Sequence, residues 1–128
     1  MNETDAVPVY PLQQEQGRCA WSYEVLANHR PFLHTEMEYS VPAEHGVTCL
    51  LALRELIKKQ FGQLKWPIEY RSLDADEVWL STANKRATVT LSVHQGIDED
   101  DEALFRACEK IFLQFSGKPH WGKVNYLD

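Results

Sequence analysis

Residues 33–41 read Leu-His-Thr-Glu-Met-Glu-Tyr-Ser-Val and predict the first strand of the fold. Apolar and polar residues alternate along it, as in a strand with one buried and one polar face. The side chains predicted to face the core are Leu33, Thr35, Met37, Tyr39 and Val41. The side chains predicted on the opposite face are His34, Glu36, Glu38 and Ser40.

The rest of the chain alternates between helical and strand periodicity. The predicted elements, in order, are a helix from Val47 to Phe61 capped by Gly62, a strand Ile68–Leu73, a helical turn from Asp74 to about Leu80, a strand Ala87–His94, a helix from about Leu104 to Phe115 capped by Gly117, and a short strand Val124–Leu127. This order predicts an α+β fold, the ferredoxin-like split β-α-β. An antiparallel sheet would carry two helices on one face and leave a polar open face.

The polar open face gathers most of the residues that could carry chemistry. Glu69 and Arg71 are two positions apart and therefore share one strand face, and Ser92 and His94 do the same on the next strand. Such a face is either simply solvated or lines a site, and periodicity leaves both interpretations open. A cross-strand or same-face salt bridge is the structural alternative for Glu69 and Arg71.

Length and composition limit the classes of function. The 128 residues have a net charge of −6, and the basic residues are scattered, so we expect no nucleic-acid partner. Residues 1–19 are predicted to be an irregular lead-in or linker, and residues 20–128 one domain, with a possible strand at Ala20–Leu26. No apolar run is long enough to span a membrane and no signal peptide precedes the domain, so a cytoplasmic location is expected.

The cysteines and histidines predict neither a disulfide framework nor a metal site. Cys19, Cys49 and Cys108 are an odd number with long spacings, which favours free thiols in a reducing compartment. His29, His34 and His45 share no metal-ligand spacing. The acidic run Asp98–Glu102 is interpreted as a helix N-terminus rather than a cation site.

Two motifs taken together are more specific. Glu69-Tyr70-Arg71 lies on a predicted strand, and Lys118-Pro119-His120-Trp121-Gly122-Lys123 follows about fifty residues later. This pair resembles the substrate half of the sugar-1,4-lactone and alditol oxidases, the flavoproteins of the vanillyl-alcohol-oxidase superfamily that include the D-arabinono-, L-gulono- and L-galactono-lactone enzymes. The resemblance extends from about Arg30 to the end, and its other segments are Glu36–Pro42, Trp79–Ser81 and Val93–Gln95.

The resemblance implies an FAD-dependent oxidation of a CH–OH group by hydride transfer to flavin. It places Lys123 at the reacting hydroxyl, and Arg71 either beside the reduced flavin or, with Lys123, at the reacting oxygen. It gives Glu69 the orientation of Arg71 or Lys123, or a sugar hydroxyl. His94 and Ser92 are expected to contact substrate, and His120 either contacts substrate or fixes its turn.

The resembled family also carries a flavin-binding domain that precedes this region. We therefore expect this chain to be the C-terminal, substrate-binding (cap) part of such an enzyme, inactive alone and completed by an FAD-binding domain upstream or in trans. The substrate would be a small sugar lactone or polyol. The alternative is a non-catalytic ferredoxin-like binding domain that has lost its flavin-binding partner.

Overall fold

A computed structural model describes Trp21, Tyr23 and residues 31–127. The chain divides into two compact units, Met1–Pro31 and Phe32–Asp128. The predicted lead-in over residues 1–19 lies outside the described residues, as does the possible strand at Ala20–Leu26 apart from Trp21 and Tyr23. The fold below is that of the second unit.

Four strands and two helices make up this unit. In chain order they are β1 (His34–Pro42), a 3-10 turn (Ala43–His45), α1 (Gly46–Gln60), β2 (Glu69–Leu73), β3 (Thr88–Gly96), α2 (Glu102–Gln114) and β4 (Lys118–Pro119). The strands form one sheet in the order β2-β3-β1-β4, and every neighbouring pair is antiparallel. The α+β class and the split β-α-β order are confirmed.

Both helices pack on the same face of the sheet. The core cluster consists of alternate residues of the two central strands and the apolar faces of the helices: Met37, Tyr39, Val41, Val89, Leu91, Val93, Cys49, Leu53, Leu104, Phe105, Cys108 and Phe112. The predicted inward face of β1 is thus correct from Met37 onward. Leu33 is 71% exposed because β1 begins one residue after it.

Tyr39 links the core to the end of the chain. Its ring stacks on Phe112 with centroids 4.9 Å apart, and its hydroxyl donates to Oε1 of Glu109 at 2.5 Å. The same oxygen accepts from the backbone N–H of Tyr126 at 2.8 Å. Burial and the Glu109 carboxylate raise the pKa of Tyr39, so its hydroxyl remains a donor. The buried Glu109 therefore ties the C-terminal segment to α2.

The helical turn predicted from Asp74 to Leu80 is wrong. Asp76 instead pairs with Asn84 in an isolated bridge, and its carboxylate accepts from the N–H of Val78 at 2.9 Å and the hydroxyl of Ser81 at 2.5 Å. A short acidic side chain that binds nearby backbone offers an alternative to the helical ladder. The segment forms a loop held by the Asp76 side chain.

The predicted last strand at Val124–Leu127 is also wrong. The chain pairs with β1 earlier, at Lys118–Pro119, opposite Tyr39 and Ser40. A turn follows, in which the N–H of Lys123 donates to the carbonyl of His120 at 3.1 Å. This turn interrupts the ladder, and after it the backbone bonds to β1 again where the N–H of Val124 donates to the carbonyl of Glu36.

The two cysteines in the described region are free and buried. Burial raises the pKa of the Cys49 and Cys108 thiols to about 12, so both stay protonated. No helix in the described part of the chain is long and apolar enough to cross a membrane.

Candidate active site

The carboxylate of Glu38 lies at the centre of the polar sheet face. Its Oε2 accepts from the hydroxyl of Ser92 at 2.7 Å and from Nζ of Lys123 at 2.6 Å. The guanidinium of Arg71 donates to the same oxygen. Three donors from three separate parts of the chain therefore converge on one atom.

Strand register explains this convergence. Glu38 pairs with Ser92 across β1 and β3, and Ser92 pairs with Glu69 across β3 and β2. Because alternate residues share a face, Arg71 lies on the same side of the sheet as Glu69. Lys123 reaches this face from the edge of β1 opposite β3. On either side of Lys123 in the chain, the N–H groups of His120 and Val124 donate to the carbonyls of Glu38 and Glu36 in β1.

The contacts continue outward on both sides of Glu38. On the β2 side, Arg71 forms an ion pair with Glu69 at 3.4 Å. On the tail side, Nζ of Lys123 donates to Oε1 of Glu36 at 2.5 Å, and Nε2 of His94 lies 3.4 Å from that same oxygen. We call this set the Glu38 network, and its members are Glu36, Glu38, Glu69, Arg71, Ser92, His94 and Lys123.

The network has a buried floor and an accessible surface. The side chains of Glu38 and His94 are 6% and 7% exposed, and Ser92 is fully buried. Arg71 and Glu69 are 52% and 42% exposed, and Lys123 is 21% exposed. A ligand on this face would therefore meet Lys123, Arg71 and Glu69 first.

Electrostatic interactions keep the carboxylates of Glu36 and Glu38 ionised. Burial raises the pKa of Glu36 and Glu38, and the hydrogen bond from Lys123 is the largest of the contributions that lower it at both groups; the charge of Lys123, and at Glu36 the charge of His94, act in the same direction. Ser92 and the charge of Arg71 add to the effect at Glu38, and the net direction is a lowered pKa for both. Their negative charge in turn holds Lys123 in one position.

His120 stands apart from the network. Its ring Nδ1 accepts from the backbone N–H of Gly122 at 3.1 Å, which stabilises the turn before Lys123. The residue is exposed. Its predicted contact with substrate stays a prediction, whereas its local contact with the turn is observed.

Strand alternation placed Arg71, Glu69, Ser92 and His94 correctly on one face, and the family resemblance added Lys123 to the same site. It assigned no role to Glu36 and Glu38, which make most of the bonds that join the others. The alternation in residues 33–41 places both carboxylates on the polar face, and that signal could have identified them.

The fold and site define a small antiparallel α+β domain whose open sheet face carries an organised set of charges. More particularly, the chain belongs to the D-arabinono-1,4-lactone oxidase family, whose model matches residues 6–128. The resemblance inferred from the two motifs is thereby confirmed.

Two named relatives place the chain within this family. It is 39% identical over 105 residues to L-gulono-1,4-lactone dehydrogenase of Mycobacterium tuberculosis (strain CDC 1551 / Oshkosh), which covers 82% of this chain and 24% of that protein. It is 33% identical over 92 residues to alditol oxidase of Streptomyces sp. (strain IKD472 / FERM P-14339), covering 70% of this chain and 21% of that protein. The chain thus matches less than a quarter of the length of these curated relatives, and it is a domain of a sugar-lactone and alditol oxidoreductase family.

Proposed function

We propose that this chain is the C-terminal, substrate-binding part of an FAD-dependent oxidoreductase that oxidises a CH–OH group of a sugar-1,4-lactone or alditol. The observation that carries the proposal is the shared contact of Lys123 and Arg71 with Oε2 of Glu38. It holds two cations side by side on an open polar face. The names of the two relatives supply the substrate class and the type of reaction.

Lys123 is the residue that would meet the reacting hydroxyl. An ammonium group has three N–H donors, and Glu36 and Glu38 accept two of them. The third is left for a substrate oxygen. Two carboxylates on one side aim that donor outward, so Lys123 can orient the hydroxyl and stabilise negative charge that develops on its oxygen.

Arg71 and Glu69 complete the accessible part of the site. The NH2 group of the guanidinium donates to Glu38, and NH1 lies 3.4 Å from Oε2 of Glu69. The remaining N–H groups can face a ligand. Glu69 orients Arg71 and can accept a hydrogen bond from a sugar hydroxyl. These three residues are the catalytic set of the proposal.

In this proposal Ser92 and His94 act from the buried side of the network and do not touch the substrate. Both side chains are buried and already contact the network, so we assign them the positioning of Glu38 and Glu36. The exposed ring of His120 is kept as a substrate contact at the rim.

The donor set fits a flavin on the open face. Arg71 keeps accessible N–H groups and Lys123 adds its positive charge on the same side of the sheet, as a ring that gains negative charge requires. Bound FAD would supply the hydride acceptor, and its main binding site would lie in a domain outside this chain. The residues seen here would hold the substrate and face the ring.

An exposed apolar loop supports a partner domain. Val78, Trp79 and Leu80 are 63%, 93% and 77% exposed. Adjacent exposed apolar side chains of this size are typical of surfaces that another part of a protein covers. We propose that the FAD-binding domain, upstream or in trans, covers this loop and that the isolated chain is inactive.

The buried free thiols are the basis for proposing a cytoplasmic location, because reduced cysteines are typical of that compartment.

One observation favours a rival function. Each charged member of the Glu38 network already has an oppositely charged partner, so the face needs no ligand to be satisfied. A non-catalytic binding domain would show the same contacts.

Reconstitution separates the two functions. The chain would be co-expressed with the flavin-binding region of its own gene or an adjacent one, and flavin absorbance followed after anaerobic addition of arabinono-lactone, gulono-lactone or xylitol. The proposal expects bleaching by at least one of them. A complex that holds flavin but is reduced by none of these compounds would support the binding domain.

A further inference from the structure

His34, Glu36 and His94 form a cluster that the proposed reaction does not use as a unit. One metal-ligating atom from each lies within 4.8 Å of the others. Glu36 pairs with His94 across β1 and β3, and His34 lies two residues before Glu36 on the same face. The cluster arises from strand pairing rather than local spacing, which explains why the sequence predicted no metal ligands.

Both histidine rings are oriented by a backbone carbonyl at Nδ1. Nδ1 of His94 lies 3.3 Å from the carbonyl of Pro67, and Nδ1 of His34 lies 3.0 Å from the carbonyl of Phe32. A carbonyl only accepts, so each Nδ1 carries a hydrogen, and Nε2 is the ring nitrogen that can bind a cation when it carries none. Backbone carbonyls orient metal-binding histidines in this way in many sites.

The distance between two of the three ligands suits a small transition-metal cation. Nε2 of His94 is 3.4 Å from Oε1 of Glu36. Two ligands of a tetrahedral zinc ion, at bonds of about 2.0–2.1 Å, are about 3.3 Å apart. Trp66 covers the two rings, with centroids 4.9 Å from His34 and 6.0 Å from His94, and limits their movement.

We propose that His34, Glu36 and His94 form a binding site for one divalent transition-metal cation of the Zn²⁺ type. Two imidazoles and one carboxylate leave a coordination position open for water or an oxygen ligand. Glu36 also accepts from Lys123, but Lys123 has Glu38 as a second partner and can stay bound there. The cation and Lys123 therefore compete for Glu36, and the cation weakens the hold of Glu36 on Lys123.

The test is a calorimetric titration of the purified chain with ZnCl₂, in a buffer with a non-thiol reductant. The inference does not rest on the proposed function, and the titration needs neither flavin nor substrate. We expect one equivalent of Zn²⁺ per chain in the wild type. His34→Gln lowers the affinity by about tenfold or more, the range expected when the ligands or supports of a site are lost. His45→Gln, an exposed histidine outside the cluster, leaves it unchanged.

Two controls keep the outcome decisive. Circular dichroism verifies that His34→Gln is folded, and nitrogen-detected NMR of the histidine rings in the wild type shows which Nε2 signals move when Zn²⁺ is added. Movement of the His34 and His94 signals together supports the site, even if His34→Gln does not fold. The proposal is overturned if those signals stay in place, or if Cys19→Ser or His45→Gln removes the binding instead.

Discussion

Lys123 Nζ lies 2.6 Å from Oε2 of Glu38, although 85 residues separate the two in the chain. Glu38 is almost fully buried and Lys123 is about four-fifths buried. The contact is possible because the residues after β4 run beside the edge of β1 that faces away from β3. It connects the end of the chain to the centre of the polar sheet face, where Arg71 and Ser92 also bind Glu38.

Glu38→Gln should destabilise the fold. The amide can keep an oxygen at the position of Oε2, but it removes the negative charge that the cations of Lys123 and Arg71 now share. Losing one member of a buried pair costs about 3–5 kcal/mol, and the exposure of Arg71 reduces this to about 2 kcal/mol. Urea unfolding measures the loss. Glu55→Gln, at an exposed ion pair with Arg54, is the control and should change stability by less than about 0.5 kcal/mol. Equal effects of the two substitutions would contradict the central role of Glu38.

The lowered pKa of Glu36 and Glu38 predicts an acid-sensitive fold. Because both groups bind protons less readily in the folded chain, their stabilisation is complete above the ordinary value of 4.5 and is lost as pH falls through their lowered values. The free energy of unfolding, measured from about pH 7 to about pH 3, should fall on the acid side.

Lys123→Met tests the source of this pH dependence. Without the ammonium, both carboxylates lose the largest contribution that lowers their pKa while burial still raises it, so the pKa of both rises and the acid-side loss of stability becomes smaller. Lys59→Met, an exposed lysine on α1, should reproduce the wild-type curve. Parallel curves for wild type and Lys123→Met would show that Lys123 does not hold these carboxylates ionised.

The sheet faces were predictable because strand alternation is a local property of residues 33–41 and 88–94. The position of Lys123 was not, since nothing local to the tail shows which sheet edge it follows. The motif resemblance supplied that link. The loop at residues 74–80 was misread because its acidic residues suit a helix N-terminus, whereas the structure uses the Asp76 carboxylate to close a turn. Strand pairing likewise joins His34 to His94, which no spacing in the chain reveals.

Glu109→Gln should loosen the tail that carries Lys123. Oε1 of Glu109 accepts from both the Tyr39 hydroxyl and the Tyr126 N–H, and an amide there would be a weaker acceptor. We expect amide hydrogen exchange at Tyr126 to become at least about fivefold faster, which corresponds to about 1 kcal/mol. Glu55→Gln, an exposed carboxylate on α1 that pairs with Arg54, should leave that amide unchanged. Unchanged protection in Glu109→Gln would show that the backbone bonds of the tail to β1 hold it without Glu109.

Gly117→Ala tests the close approach of the chain after α2. A Cβ there would lie 2.8 Å from the carbonyl oxygen of Phe112 and 3.1 Å from the Tyr39 ring, so backbone would have to shift. A loss of about 1–3 kcal/mol is expected in thermal or urea unfolding. Gly62→Ala is the matched control, because its Cβ would meet only the carbonyl of Lys58 at 3.6 Å, an ordinary contact. Its effect should lie between zero and about 1 kcal/mol of added stability. A tolerated Gly117→Ala would contradict the observed packing.

The most direct test of the proposed function is the rate of flavin reduction in the reconstituted oxidoreductase. Stopped-flow absorbance would be recorded anaerobically with the lactone or alditol that bleaches the flavin, for wild type, Lys123→Met and Lys59→Met. The proposal predicts that Lys123→Met lowers the limiting rate by about a hundredfold or more, while flavin content is retained and Lys59→Met matches wild type. A Lys123→Met complex that is reduced as fast as wild type would contradict the assignment of Lys123 to the reacting hydroxyl.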